Sequence, residues 1–306
     1  MFTTILVPLD GSPLAERAVP YAERLARAAG ATLTLVRAET SGITGSRVIV
    51  IRQALAYLDT VAAGPRARGL TVQTSAPYGQ PAAGVVAEAR RIAADLIVLA
   101  THGRSGIRHV TYGSVAEEII ARAPVPVLLV SAREDPPAVP LPEQAPLLVP
   151  LDGTGFAERS LPVARELAAL LESGVVLVQA LGERDTPSPA VPAEVSPYLL
   201  RMRQEEEVAA LEYLREIARL ELPGIETTCV ARSGKVVDVI AEACRDYETA
   251  LVVMATHRRF GLTRFFFGNV ANDAAHEMGV PFLLIGPPQA EDDPSDEEVL
   301  AGLVLD

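Results

Sequence analysis

Ile5-Leu6-Val7-Pro8-Leu9-Asp10-Gly11 returns 142 positions later as Leu147-Leu148-Val149-Pro150-Leu151-Asp152-Gly153. A second pair lies farther along. Leu99-Ala100-Thr101-His102, with Gly113 ten residues past Gly103, returns as Met254-Ala255-Thr256-His257, with Gly268 ten past Arg258. A duplication of about domain length means two copies of one fold, so each copy can be read against the other. The copies differ at two informative positions: Gly103 becomes Arg258, and Ser114 becomes Asn269.

Around the first stretch, Thr4 to Pro8 is a short apolar run of the kind that forms a strand buried on both faces. Ser12-Pro13 reads as an N-cap followed by proline at the first helical position, opening a helix through Ala29 that Gly30 ends. Further strands are predicted over Thr32–Ala38, Leu70–Ala76, Leu96–Ala100 and Val127–Val130. The helices between them are Ile49–Ala63, Ala82–Ala94 and Val115–Ala123. Strands separated by helical patterns imply right-handed crossovers and a parallel sheet.

The second copy repeats this order with one change of length. Ala38 to His102 spans 64 positions and Ala180 to His257 spans 77, so 13 residues are added. They fall after the second strand, in the proline-rich run Thr186-Pro187-Ser188-Pro189-Ala190-Val191-Pro192, which suits neither helix nor strand interior. A longer helix, Tyr198 to Leu220, follows, with Val208, Leu211, Leu214 and Ala218 expected on one face. The expected organisation is a first domain over 1–132, a stiff proline-rich linker over 133–145, a second domain over 146–288 and a solvating acidic tail over 289–306.

At 306 residues there is room for two cores, and 49% hydrophobic with 22% charged residues is a globular composition. The net charge of −12 argues against nucleic-acid binding, which needs clustered Lys and Arg. No apolar run reaches membrane-span length, and no leader pattern opens the chain. Cys229 and Cys244 are the only cysteines, too few for a disulfide framework or a thiolate metal site in either copy. The expected location is the cytoplasm.

Ligands of open parallel sheets settle outside the carboxyl ends of the strands, where the winding direction reverses. Two segments suit that crevice: Pro8-Leu9-Asp10-Gly11, and Thr101-His102-Gly103-Arg104-Ser105-Gly106 leading to Gly113-Ser114. The glycines permit close backbone approach. Gly113-Ser114 presents N–H groups and a hydroxyl at a helix start, where the dipole favours an anion by roughly 0.3–1 kcal/mol. Asp10 would reach a ribose hydroxyl from the neighbouring strand. The plainer alternatives are a glycine-rich turn that binds nothing, and an Asp10 that braces the turn into Ser12.

At these residues the chain resembles the universal stress proteins, in tandem form. The resemblance rests on Val-Pro-Leu-Asp at the first strand, on Gly103, nine residues, then Gly113-Ser114-Val115, and on Ala-Pro-Val-Pro-Val-Leu-Leu-Val at the last strand. It covers nearly the whole chain apart from linker and tail. It implies an α/β fold of two similar doubly wound domains, each a five-stranded parallel sheet in the order 3-2-1-4-5 flanked by helices. It also implies ATP as ligand, with Mg2+ as companion ion. Carried over, Pro8 and Asp10 flank the nucleoside, the backbone at Ala38 meets the adenine edge, Leu99 and Ala100 line the pocket, and Gly103, Gly113, Ser114 and Val115 hold the phosphates. Ala100 departs from the family pattern, which has glycine there.

The second site would comprise Pro150, Asp152, Ala180, Met254, Ala255, Gly268, Asn269 and Val270. Arg258 replaces the phosphate-loop glycine, where a side chain at positive φ costs roughly 1–2 kcal/mol and fills space, so this site reads as weakened. His102 and His257 are shared by both copies, but no carboxylate pair, Ser-His-Asp set or metal-ligand spacing accompanies them, and they read as turn residues. Phe265-Phe266-Phe267 reads as core or domain interface. No catalytic residue is assigned. The expected function is ATP binding in stress response or signalling, chiefly in the first domain, with at most slow hydrolysis. The alternatives are a nucleotide-free scaffold acting through protein contacts, and a slow ATPase. The two halves are expected to pack pseudo-symmetrically through their last strands, Val127–Val130 and Phe282–Ile285, whose edges would otherwise lie open, with homodimerisation left open.

Overall fold

The computed structural model describes residues 2–40, 46–101, 114–131, 141, 144–182, 196–256 and 280–287. The first copy contributes strands β1 (Thr4–Pro8), β2 (Thr32–Val36), β3 (Val72–Ser75), β4 (Leu96–Thr101) and β5 (Val127–Ser131). The second contributes β6 (Leu147–Pro150), β7 (Val175–Leu181), β8 (Thr227–Ser233), β9 (Leu251–Ala255) and β10 (Phe282–Ile285). All ten join one sheet in the order β3-β2-β1-β4-β5-β10-β9-β6-β7-β8. Each half therefore has the predicted 3-2-1-4-5 order, and every pairing within a half is parallel.

The halves meet where the open edges were expected to. β5 and β10 pair antiparallel, with Leu129 opposite Phe282, Leu128 opposite Leu283 and Val127 opposite Leu284. Pairing satisfies backbone groups on two edges that would otherwise template aggregation. Strand residues alternate between faces, and here both faces are covered. Ile5, Val7, Leu128 and Leu283 enter one apolar cluster, while Leu6, Val127, Leu129, Phe282 and Leu284 enter the other. Both clusters run unbroken across the junction.

The first cluster is closed by α1 (Pro13–Glu16), α2 (Ala18–Ala29) and α3 (Arg47–Ala67), and by α6 (Leu161–Leu171) and α7 (Ser196–Glu221) of the second copy. The opposite cluster is closed by α4 (Pro81–Arg91), α5 (Ser114–Arg122) and α8 (Val236–Asp246). Equivalent helices of the two halves thus lie on the same face, as expected for a pseudo-two-fold axis perpendicular to the sheet.

Several local expectations need adjustment. The first helix is broken at Arg17 into α1 and α2; Ser12 Oγ caps it by accepting the Ala15 N–H at 3.1 Å. On α7, Leu214 is buried and Ala218 packs against the first cluster as expected, but Val208 is exposed, and Ala210 and Ile217 join the buried stripe. Residues two apart on a helix lie about 200° apart, so a face centred on Ala210 turns Val208 to solvent. In the proline-rich stretch between the copies, Leu141 is buried in the first cluster. Among the described residues no helix is long and apolar enough to cross a membrane.

Candidate functional site

β1 and β4 are direct neighbours, with Ile5 opposite Leu96 and Leu6 opposite Ile97. Being parallel, they deliver Pro8 and Thr101 to the same edge of the sheet. The winding reverses between them, because α1 and α2 cover one face while α4 and α5 cover the other. This is the location at which doubly wound sheets hold ligands. Pro8 is half-buried and Asp10 exposed just beyond β1; on β4, Leu99 is buried and Ala100 half-buried. Ser114 and Val115 open α5 and are exposed, so the positive end of that helix dipole meets solvent. Gly103, Gly113 and His102 lie outside the described residues.

Asp10 does brace the turn: its Oδ1 accepts the Ser12 N–H at 2.8 Å. Gly11, at φ +91°, supplies the left-handed residue the turn requires. Bracing and ligand recognition are compatible here. A carboxylate fixed at a strand end loses less conformational freedom on binding than a mobile one.

Ala38 follows β2 and is half-buried against the cluster under α4. A Cβ built on Gly84 of α4 would come within 3.2 Å of the Ala38 Cβ. Glycine at 84 therefore lets the helix approach the backbone that is predicted to meet the base. The sequence reading passed over Gly84, although an isolated glycine inside a helical pattern is itself a signal of close packing.

The second crevice is built alike. β6 neighbours β9, with Leu147 opposite Leu251 and Leu148 opposite Val252. Asp152 Oδ1 accepts the Thr154 N–H at 2.9 Å and the Thr154 hydroxyl at 2.6 Å, and Gly153 has φ +80°. Pro150, Ala180, Met254 and Ala255 are half-buried around it. Gly268, Asn269, Val270, Arg258, His257 and Phe265 to Phe267 lie outside the described residues.

On the opposite face of the same strand ends, each half carries a feature the sequence reading missed. Tyr57 of α3 donates its hydroxyl to Glu16 at 2.8 Å, and Tyr213 of α7 donates to Glu158 at 2.8 Å. Burial, then the hydrogen bond to the glutamate, pushes both phenols well above their ordinary pKa. Glu16 and Glu158 are themselves 142 positions apart, so the repeat contained this signal. The halves then diverge. In the first, the Arg37 guanidinium carbon lies 5.2 Å from the centroid of the Tyr57 ring, and Nε pairs with Glu39 at 2.8 Å. Position 179 of the second half holds Gln where the first has Arg37, and Leu181 stands for Glu39. Among the described residues no group of three or more His, Cys, Asp or Glu is placed to hold a metal ion.

A sequence model of the Universal stress protein family matches residues 1–131 and again residues 145–286. The Universal stress protein Rv2005c of Mycobacterium tuberculosis is 28% identical over 222 residues, covering 71% of this chain and 70% of that protein. A universal stress protein of Thermus aquaticus is 34% identical over 141 residues, which is 42% of this chain and 99% of the relative, one copy's worth. Among solved structures, a universal stress protein from Archaeoglobus fulgidus superimposes with a TM-score of 0.70 at 17% identity, over 94% of this chain and 97% of that one. At that identity the likeness shows the fold.

Proposed function

The chain belongs to the universal stress protein family, and on that premise we propose that it binds ATP between β1 and β4 of its first half, in a stress-response or signalling role. The observation that supports this reading is the pairing of β1 with β4, which brings the strand ends carrying Asp10 and Leu99–Ala100 to one switch point of a parallel sheet. Asp10 would accept from a ribose hydroxyl while its Oδ1 stays anchored on Ser12, and the Gly84 approach leaves the backbone at Ala38 to meet the adenine edge. Ser114 and the amides of α5 would receive the phosphate chain, joined by Gly103 and Gly113. Mg2+ would arrive with the triphosphate and neutralise part of its charge.

The second half supports a weaker site or none, since Arg258 and Asn269 replace the phosphate-loop glycine and serine. Hydrolysis is placed at no more than a slow rate, because no residue is assigned as a general base. Isothermal titration of the intact protein with ATP and Mg2+ tests the proposal. Asp10→Asn keeps an acceptor for Ser12 but removes the charge. A hydrogen bond to a charged group is worth about 1.5–3 kcal/mol, so affinity should fall by roughly 10- to 150-fold. Asp152→Asn should leave the dominant binding event unchanged. Absence of ATP binding to the intact chain overturns the reading and leaves a scaffold acting through protein contacts.

A further inference from the structure

The turn that carries Asp10 is held from behind. Asp10 and Gly11 leave β1 on the way to α1, and the bond from the Ser12 N–H to Asp10 Oδ1 spans only the turn itself. Gly11, at φ +91°, has no side chain with which to anchor the turn to the rest of the fold. Arg37, one residue past the end of β2, supplies the anchor. A Cβ built on Gly11 would come within 3.0 Å of Arg37 Nη1 and 3.3 Å of its guanidinium carbon, so the planar cation lies against the bare glycine. Its other neighbour is the Tyr57 ring, whose centroid is 5.2 Å from the guanidinium carbon, and Nε pairs with Glu39 at 2.8 Å. The two side chains are 29% and 18% exposed, so most of this pair is out of water.

These contacts close a circuit. Gly11 abuts Arg37, Arg37 lies over Tyr57, Tyr57 donates to Glu16 at 2.8 Å, and Glu16 stands in α1, which begins two residues after Gly11. Beyond burial and its bond to Glu16, the Tyr57 phenol feels the charges of Arg37 and Asp10, so the carboxylate of the turn lies in the same electrostatic neighbourhood. Arg37 itself stays clear of the nucleotide crevice. Val36 and Ala38 on either side of it pack into the cluster under α4, so its own side chain leaves on the α3 face.

The second half provides the contrast. It keeps the glycine as Gly153, the tyrosine as Tyr213 and the glutamate as Glu158, with a 2.8 Å bond between the last two. Gln179 replaces Arg37 and Leu181 replaces Glu39, and Gln179 Nε2 stands 3.9 Å from a Cβ built on Gly153. Its turn is braced locally instead, with Asp152 Oδ1 accepting from both the N–H and the hydroxyl of Thr154. The glycine–tyrosine frame thus survives without the cation, which separates what Arg37 does from what the fold requires.

We propose that Arg37 is a positioning residue for the first crevice: by clamping Gly11 it holds the Asp10 carboxylate where a ribose hydroxyl can donate to it. The inference rests on the reading of that crevice as an ATP site. A recognition group held in place before binding has less freedom to lose when its ligand arrives, so the clamp acts on affinity without touching the nucleotide.

The test variant is Arg37→Gln with Glu39→Gln, which leaves the net charge unchanged and places at 37 the residue type that the second half carries. ATP and 2′,3′-dideoxy-ATP, which lacks both ribose hydroxyls, are titrated calorimetrically with Mg2+ into the full chain. ATP should bind the variant about 3- to 10-fold more weakly, the loss expected from one side chain freed at the site, while the dideoxy analogue should bind both proteins equally. Added to Asp10→Ala, the paired change should weaken ATP binding no further, because the group it positions is gone. Equal weakening of both nucleotides overturns the proposal, since Arg37 would then act on the fold as a whole. So does an unchanged ATP affinity, and so does full additivity with Asp10→Ala. Failure of the unaltered chain to bind ATP is a separate result, which removes the ATP reading and this inference with it.

Discussion

The junction between the halves makes a demanding prediction. Leu283 of β10 faces Leu128 of β5 in register, each about 1% exposed, and both belong to the cluster that runs under α2 and α6. Leu283→Ala removes buried carbon from a site roofed by helices of both copies, which limits how far it can collapse. Leucine-to-alanine changes in such sites cost about 2–5 kcal/mol, and about 3 kcal/mol is appropriate here. If the ten strands form one cooperative sheet, that loss is felt on both sides of the junction. Amide hydrogen exchange read by mass spectrometry resolves the two halves separately, which matters in a chain with no tryptophan. Exchange of the most protected amides should accelerate about 150-fold in β6 and β9, and by a comparable factor in β1 and β4. Acceleration confined to the second half, with β1 and β4 unchanged, would refute the reasoning, because the halves would then be independent folding units touching at one edge.

Three further outcomes follow from local geometry. Glu172 ends α6 in the left-handed conformation at φ 51°, where the equivalent position of the first half is Gly30 at φ 66°. Relief of the side-chain penalty outweighs the added unfolded-state entropy, so Glu172→Gly should stabilise by about 0.5–1 kcal/mol in chemical denaturation, and Gly30→Ala should destabilise by a similar amount. Asp95 Oδ2 accepts from Thr3 N–H, Thr3 hydroxyl and Thr4 N–H at 2.7, 2.7 and 2.9 Å. Burial opposes its charged form, but these donors outweigh burial and hold the carboxyl below its ordinary pKa. Its contribution is therefore present above the unfolded value of about 4 and lost progressively as pH falls through the lowered folded-state value, so Asp95→Asn should cost about 1–2 kcal/mol at neutral pH and progressively less as the solution is acidified below about pH 4. Burial pushes the Cys244 thiol up to about 11. The folded thiol stays protonated while an unfolded one ionises from about pH 8.5, so this residue erodes stability between those two values. It should resist thiol reagents at pH 8 until the chain is denatured; rapid native labelling would contradict its burial.

The architecture was legible because inner strands such as β1, β4, β5 and β6 carry apolar runs with the pattern of two-sided burial, and because the duplication allowed one copy to check the other. Strand order came from the family resemblance, since nothing in Leu6 or Leu33 specifies that β1 sits between β2 and β4. The meeting of β5 and β10 followed from edges that had to be covered. On α7, Leu214 and Ala218 face the core as expected but Val208 does not, because Val208 and Leu211 fit a helical period as well as Ala210 and Ile217 do. Periodicity gives a stripe without its centre, and only packing against β7 and β8 decides it. At the site, Pro8, Asp10, Leu99 and Ala100 were readable as strand ends. The roles of Gly84, Arg37 and Tyr57 were not, because each depends on a residue brought near by the fold: Ala38, Gly11 and Glu16.

The antiparallel junction also constrains how the two crevices relate. Within each half all strands run parallel, so each half has one edge at which its strands end. Because β5 and β10 run in opposite directions, the carboxyl end of β4 at Thr101 and that of β9 at Ala255 leave the sheet at opposite edges. Strands of five or six residues rising about 3.3 Å each place those edges well over a hydrogen-bond length apart. The end of β9 at Ala255 thus lies at the edge opposite the first crevice. What the halves share is the β5–β10 pairing and both apolar clusters, through Leu128 and Leu283 on one face and Leu129, Phe282 and Leu284 on the other. Among the described residues, a change in one crevice would reach the other through that packing. If both proposed sites bind nucleotide, this shared packing would carry coupling between them, and Leu283→Ala, which loosens it, should reduce any cooperativity in ATP binding while sparing the first crevice's own contacts.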